Sequence, residues 1–399
     1  MQATDTMPVN PTRKFELQPL TVLVVSAFAL LVIGVVMISS ASMDVAAATM
    51  GNAYHYVLRQ VIFALMGCAA ALVAVNVPIS WWERSGWLLL AIGMASLALM
   101  MTPLALTVNG STRWLPLGLF NVQVSEIAKL CLIAYLAGYV VRRREELINT
   151  WPGFLKPILV LIVATLLLLM QPDFGATVVL VTASAAMIFL SGVRLNRFVP
   201  LIVLLAASGV GLVVSEPYRL KRVVSYLDPW QDQFNTGYQL TQSLIAFGRG
   251  EWTGVGLGNS IQKLFFLPEA HTDFIFAIIS EEFGLLGALF VLFLFVALVV
   301  SGFVIARRAE KASMPFASCF SYGISMLIGL QDGINMAVCT GLLPSKGLTL
   351  PLVSYGGSSL MVTCACLGIL ARVEMERLDK QRMASEKQVG NPPGGASYD

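Results

Sequence analysis

The sequence predicts an all-α polytopic membrane protein with ten transmembrane helices, both termini cytoplasmic and a large fourth extracytoplasmic loop. Three observations carry that expectation. Of the 399 residues, 57% are hydrophobic and only 12% charged, about half the charge of a soluble domain. Ten apolar runs approach the roughly 20 residues a helix needs to cross hydrocarbon: residues 20–39, 57–77, 86–106, 124–141, 155–170, 174–191, 197–215, 273–306, 315–342 and 353–371. With the amino terminus placed inside, 17 of the 26 Lys and Arg residues fall on the inner side, as the positive-inside rule requires.

Residues 1–17 form a polar tail. The first run follows Arg13 and Lys14 and exceeds the roughly 7–15 apolar residues of a secretory signal, so it reads as an uncleaved helix. Only Gln171-Pro172-Asp173-Phe174-Gly175 separates the fifth and sixth runs, a tight turn with Pro and Gly as breakers. The seventh run ends at an outer loop of about residues 216–272, whose acids and bases balance five to five. The eighth run is long enough to tilt or to project beyond the bilayer. Residues 373–387 read as a charged helical extension and 390–399 as a loose Pro/Gly-rich end. The membrane domain is therefore 18–372, with tails at 1–17 and 373–399. No internal repeat supports an inverted-repeat transporter. The six cysteines lie in apolar runs and read as core residues, and no spacing fits a zinc site. The net charge of +3 is small, and nothing points to nucleic acid.

Ionisable side chains are costly in lipid, so those at span edges are functional suspects. The stretch Leu267–Phe276 sets Glu269, His271 and Asp273 at the mouth of the eighth run. Thr272 or Asp273 can act simply as a helix cap. Apolar packing and a neighbouring acid would instead raise the aspartate from its ordinary pKa of about 3.9. Glu281 and Glu282, about 12 Å further along the helix, face other directions and satisfy partners inside the bundle. Tyr218-Arg219-Leu220-Lys221-Arg222 is either a solvated, headgroup-facing surface or a site for a phosphorylated lipid, to which guanidinium forks are suited. Tyr238–Phe247 has helical spacing, with Gln239 and Gln242 off its apolar face, and either lies in the interface or packs on the bundle. Gly254-Val255-Gly256-Leu257-Gly258 lies in an outer loop and reads as a flexible turn, not a dinucleotide motif. Glu126 and Lys129 can meet on one helix face, as a structural ion pair or a substrate-positioning one. Asn109-Gly110-Ser111 matches the glycosylation tripeptide by chance, and Arg113 and Trp114 beside it are an interfacial anchor or part of a site.

The segments Asn109–Gly118, Ser125–Lys129, Gln171–Gly175, Glu216–Arg222, Gly237–Gly250, Gly254–Phe276 and Leu343–Ser359 follow one another over about residues 18–372. Together they resemble the SEDS family, the FtsW/RodA/SpoVE polymerases. Gly256–Lys263 ahead of Leu267–Phe276, and Leu348–Ser358, resemble the FtsW branch more than the RodA branch. The resemblance implies a peptidoglycan glycosyltransferase. Such an enzyme polymerises lipid II into β-1,4 glycan strands on the outer face of a bacterial inner membrane, at the division septum. The family's essential aspartate falls on Asp273, expected as general base, and its sensitive lysine on Lys346. Arg219, Arg222 and Lys346 are candidates for holding pyrophosphate. Arg113, Lys129, Gln171, Asp173, Gln239, Gln242, Glu269, His271 and Ser354 complete the expected substrate-binding set. Val124 stands where the family often has proline, and Phe174 where it usually has leucine; neither change removes a polar group. The resemblance fixes no cofactor and leaves room for a divalent cation. It implies a cognate class B penicillin-binding protein and other divisome membrane proteins as partners. A lipid II flippase and a non-catalytic scaffold are the alternatives. A flippase needs charge through the midplane, whereas here the ionisable residues gather at the outer edge, and a scaffold would not require Asp273.

Overall fold

Helices dominate because most of the chain is apolar, and a backbone in lipid must satisfy its polar groups internally. The computed structural model describes residues 18–108, 111–116, 118, 121–214, 226, 228–235, 237–344 and 347–389. Arg219, Arg222, Lys346 and both loose ends lie outside the described residues. In chain order the helices are α1 Pro19–Met50, α2 His55–Asn76, α3 Ile79–Arg84, α4 Gly86–Leu99, α5 Val124–Arg142, α6 Arg144–Asn149 and α7 Trp151–Met170. They continue as α8 Phe174–Leu190, α9 Leu195–Val214, α10 Tyr238–Gly250, α11 Ile275–Lys311, α12 Pro315–Cys339 and α13 Gly357–Val389. Each of the ten apolar runs falls on one of these helices. Among the described residues six helices are long and apolar enough to cross a membrane, and three shorter apolar ones lie at Gly86–Leu99, Phe174–Leu190 and Leu195–Gly211.

The element boundaries have local causes. Pro19 and Pro315 open α1 and α12, where a missing N–H costs nothing. Asp173 caps α8 by accepting from the Ala176 N–H at 3.2 Å. Helix α5 is the buried centre, with 89% of its apolar window inside the protein; α4, α8, α12 and α13 pack around it. Helix α2 lies along α13, and α1 along α11. Helix α13 continues past the expected limit of the membrane domain. There Glu374 and Arg377 are buried and hydrogen-bonded, with Arg308 of α11 beside them.

Two local expectations are corrected. The fold is not all helical: β1 Leu106–Val108, β2 Ser111–Pro116 and β3 Asn121–Gln123 form a three-stranded antiparallel sheet. The third apolar run therefore stops as a helix at Leu99. Asn109-Gly110 lies between β1 and β2, and Asn-Gly is the strongest short hairpin signal; the glycosylation pattern drew attention to the same residues for the wrong reason. The Gly254–Gly258 segment is also no free turn. Helix α11 breaks at Gly284 (φ +66, ψ −166), and this segment repairs the break. Leu285 and Leu286 N–H groups donate to the Glu251 and Trp252 carbonyls at 2.9 and 3.2 Å, while Val255 and Gly256 N–H groups donate to the Glu281 and Glu282 carbonyls at 3.0 Å each.

The two glutamates at the break are buried and partnered. Glu281 accepts from Arg249 at 2.9 Å, from the Ile261 N–H at 3.1 Å and from Ser260. Glu282 accepts from Lys263 at 3.0 Å and from Ser40 of α1 at 2.6 Å. Helix α10 also packs on the bundle, with Leu240, Ser243 and Ala246 buried and Ser243 Oγ donating to the Cys339 carbonyl at 2.7 Å. Gly254 has φ +81, and a methyl there would come within 2.1 Å of the Glu282 carbonyl oxygen. Gly254→Ala should therefore lower stability by about 1–2 kcal/mol from the left-handed backbone, and further from the contact with the Glu282 carbonyl. Thermal unfolding of the full chain in detergent reads this as a lower midpoint.

Candidate active site

Asp273 sits in the turn that leads into α11. The helix N-cap is Phe274, and no side chain caps it, so capping does not explain the aspartate. The turn is held from several sides. Glu269, at φ +57, accepts at its carbonyl from the Thr272 and Phe274 N–H groups at 3.1 and 3.2 Å. Ser354 Oγ donates to the Thr272 carbonyl at 2.5 Å and accepts from the Leu350 N–H at 2.8 Å. Asn335 of α12 donates to the carbonyls of Asp273 and Leu348 at 2.8 and 2.6 Å. The Tyr355 N–H donates to the His271 carbonyl at 3.0 Å. Thus α11, α12 and the segment before α13 converge on one carboxylate.

Among the described residues none donates a hydrogen bond to that carboxylate. Burial and the neighbouring Glu269 push the Asp273 pKa up to about 7, with Arg113 opposing the rise. His271 is pushed the other way by burial, with Glu269 opposing; its ring lies 4.9 Å from Tyr56 and 6.0 Å from Tyr355. Arg113 projects from β2. It donates to the Pro172 carbonyl, and its Nη1 stands 3.9 Å from Asp173, which Ser125 Oγ also bonds at 3.0 Å. The two sides meet at Gly347. A methyl there would lie 3.2 Å from Asp273 Oδ2 and 3.8 Å from Arg113 Nη1. The glycine leaves open the space on which base and cation converge.

That space is the head of a cavity of about 1760 Å³. His55, Arg59, Arg113, Glu126, Glu269 and Asp273 are its ionisable lining residues. The cavity continues between α7, α8 and α9 past Val178, Val181 and Ala185 to Phe189 and Phe198, with a largely apolar wall that also carries the hydroxyls of Thr165, Thr177, Thr182 and Ser208. Such a shape suits a ligand with a charged, hydroxyl-rich head and a long hydrocarbon tail. At neutral pH Asp273 can take a proton from a hydroxyl while Arg113 faces an anion beside it. The described residues contain no group of three or more His, Cys, Asp or Glu side chains that could hold a metal ion.

The other expected residues divide. Gln239 borders the cavity, whereas Gln242 is half-buried on α10 outside its lining. Ser354 is buried and positions the Asp273 turn. Gln171 is buried and donates to the Leu97 carbonyl at 3.0 Å, joining the end of α7 to α4. Lys129 is buried with Glu126 at 2.9 Å and Gln331 at 2.8 Å, a pairing inside the bundle. Sequence reasoning passed over Gly347, Asn335, Tyr355 and Arg59. Arg59, which lines the cavity with Tyr355, was legible as one of the nine basic residues that break the inner-side bias. Asn335 was legible as a polar residue in an apolar run. Nothing local marked Gly347.

The cell cycle protein family FTSW_RODA_SPOVE matches residues 21–379. A curated relative from Marinobacter nauticus, "Probable peptidoglycan glycosyltransferase FtsW", is 75% identical over 399 residues, covering 100% of both chains. Two solved structures are similar. One, from "Structural coordination of polymerization and crosslinking by a peptidoglycan synthase complex", has a TM-score of 0.73 at 26% identity and covers 89% of this chain and 97% of that one. The other, the rod shape determining protein RodA of Thermus thermophilus, has a TM-score of 0.66 at 25% identity over 89% and 96% of the two chains.

Ser354→Ala would strand the Leu350 N–H and the Thr272 carbonyl. The expected cost is about 1–3 kcal/mol, read as a lower unfolding midpoint of the full chain, with the Asp273 turn loosened.

Proposed function

We infer that this chain, which belongs to the FtsW/RodA/SpoVE family of cell cycle proteins, is a peptidoglycan glycosyltransferase with Asp273 as its general base. The observation that carries the residue assignment is a carboxylate poised near neutrality that converges with Arg113 on the space beside Gly347, at the head of the cavity. The substrate is lipid II. Its undecaprenyl tail lies against the apolar wall formed by α7, α8 and α9, and its pyrophosphate and sugars lie at the charged head. Asp273 takes the proton of the acceptor 4-hydroxyl, and that oxygen attacks the anomeric carbon of the donor. The bond from this carbon to the pyrophosphate oxygen breaks, and undecaprenyl pyrophosphate leaves with the bonding electrons. One displacement turns an α-linked donor into a β-1,4 product, the inverting logic of a base on one face and a leaving group on the other. Arg113 stabilises the leaving charge, with Arg219, Arg222 and Lys346 as further candidates.

The chain is a multi-pass membrane protein. We propose ten spans, both termini cytoplasmic, with a membrane domain over 18–372. The Asp273 end faces outward across a bacterial inner membrane, at the division septum. A cognate class B penicillin-binding protein and other divisome membrane proteins would be its partners. The distribution of charge supports polymerisation over translocation, because the ionisable lining residues sit at one end and the α7–α9 wall carries no charged side chain, only the hydroxyls of Thr165, Thr177, Thr182 and Ser208. A purely scaffolding role would give no reason for an uncapped, desolvated aspartate.

In vesicles holding the chain, its partner and labelled lipid II, Asp273→Asn should reduce glycan formation roughly 10²–10⁴-fold, the usual contribution of general-base catalysis. Glycan of normal yield and length from the variant would overturn the assignment. Because only deprotonated Asp273 acts as base, the wild-type rate should rise with pH through about 7. Glu269→Gln removes a neighbouring negative charge and should move this limb to lower pH. Arg113→Gln removes a positive one and should move it to higher pH.

A further inference from the structure

We propose that the loop from Glu251 to Phe266 is a lipid-seating surface. In this proposal Trp252, Leu257, Ile261, Leu264, Phe265 and Phe266 rest in the membrane interface on the Asp273 side and set the height of the site above the bilayer. From Ser260 to Phe266 the loop is partitioned inside out: the polar residues Ser260, Gln262 and Lys263 are 2%, 5% and 5% exposed, whereas Ile261 is 42%, Leu264 43%, Phe265 62% and Phe266 49% exposed. Trp252 at 69% and Leu257 at 53% are exposed earlier in the loop, beside the exposed polar Glu251, Thr253 and Asn259. A single exposed apolar residue means little. Six in one short loop, four of them interleaved with polar residues turned inward, form a patch that calls for an apolar medium. The Ser260 hydroxyl and the Lys263 ammonium are committed to the buried Glu281 and Glu282, and the Gln262 backbone N–H also donates to Glu281. Phe265 is held in the left-handed region at φ +66, a conformation unfavourable for a bulky residue that keeps its ring outward.

Two independent rulers place this loop at the edge of the hydrocarbon. Residues 275–282 of α11 are all buried by protein. Apolar exposure begins with Phe283, just ahead of the break at Gly284, and continues in the regular helix with Leu285, Leu286, Leu289 and Phe290. From Leu285 to Arg307, at 1.5 Å per residue, is about 33 Å, close to the roughly 30 Å hydrocarbon thickness. With Arg307 and Arg308 at the opposite surface, the near edge falls at Gly284–Leu285. The Trp252 carbonyl accepts from the Leu286 N–H at 3.2 Å, so Trp252 stands at that height, where interfacial tryptophans concentrate. On α1, about 20 residues from Leu20 span the same thickness and end at Ser40. Its hydroxyl accepts from Lys263 at 2.9 Å and donates to Glu282 at 2.6 Å. Both helices put the edge level with the loop.

Lipid is the occupant that fits. From Trp252 to Phe266 the outward side carries no charge, the exposed Glu251 standing at the start of the loop, and the patch is continuous with the Leu285–Phe290 flank of α11, which any membrane-crossing helix presents to acyl chains. Seating the loop there leaves Asp273, two residues before α11 starts, on the headgroup side of the edge.

The test uses the full chain in phosphatidylethanolamine and phosphatidylglycerol vesicles, without partner proteins. Nitroxide labels are placed by Leu257→Cys and by Phe265→Cys, each in a Cys68→Ser, Cys319→Ser background. Asn52→Cys, in the α1–α2 connection, serves as the aqueous reference and Leu286→Cys as the lipid reference. Collision rates with oxygen and with a water-soluble nickel chelate are then compared. Expected is nickel access at Leu257→Cys and Phe265→Cys several-fold below that at Asn52→Cys, with an oxygen-to-nickel ratio approaching that of Leu286→Cys. Leu257→Cys leaves the strained backbone of Phe265 untouched, so misfolding at one position does not spoil the comparison. Nickel access equal to the Asn52→Cys reference at both positions would overturn the proposal. Access that is water-like alone and falls only when the class B penicillin-binding protein is added would overturn it as well, in favour of a protein contact.

Discussion

An unpaired backbone N–H or carbonyl costs several kcal/mol where no water can reach it, and α11 interrupts its own ladder at Gly284. The groups freed there are not left to solvent. Glu251, Trp252, Val255 and Gly256 take them up, which obliges the preceding loop to run alongside α11. Glu281 and Glu282 then bind side chains and backbone from the rest of that loop and from α1. The loop, α1 and α11 are tied at one level by a single break. The Asp273 turn caps this arrangement, so its position follows from it.

The carboxylate itself is caught between opposing terms. Burial and Glu269 favour its neutral form, and Arg113 favours the charged one. Burial alone would yield a permanently protonated acid, and a close ion pair would yield a weak base. The balance near neutrality requires Arg113 near but not bonded, and that separation is arranged elsewhere. Arg113 is drawn back by the Pro172 carbonyl and by Asp173, while Ser354 and Asn335 hold the Asp273 turn. The polar turn between α7 and α8 thus bears on Asp273 through Arg113.

Much of the fold was legible in the chain. The ten apolar runs fell on helices because a 20-residue apolar stretch has few other stable states in lipid. The glutamates of the eighth run found buried partners, as their position inside an apolar helix required. The small sheet was misread because hydropathy says nothing about hairpins, although Asn109-Gly110 carried that signal. The Gly254–Gly258 segment looked like free turn chemistry because its partner, a break about thirty residues downstream, leaves no trace in the local pattern.

From the amino acids alone came the class of protein, the helical segments and the cluster of Glu269, His271 and Asp273, since composition, run length and the rarity of ionisable groups in apolar sequence are local properties; the family resemblance then singled out Asp273. Which polar residues share a site was decided only in three dimensions. Lys129 turned into the bundle and Gln171 into a helix contact, while Gly347, unmarked in the sequence, became the space beside Asp273, and Asn335, marked only as a polar residue in an apolar run, became its support. Helix packing brings together groups hundreds of residues apart, and the sign and size of each carboxylate's environment depend on those neighbours rather than on its own segment.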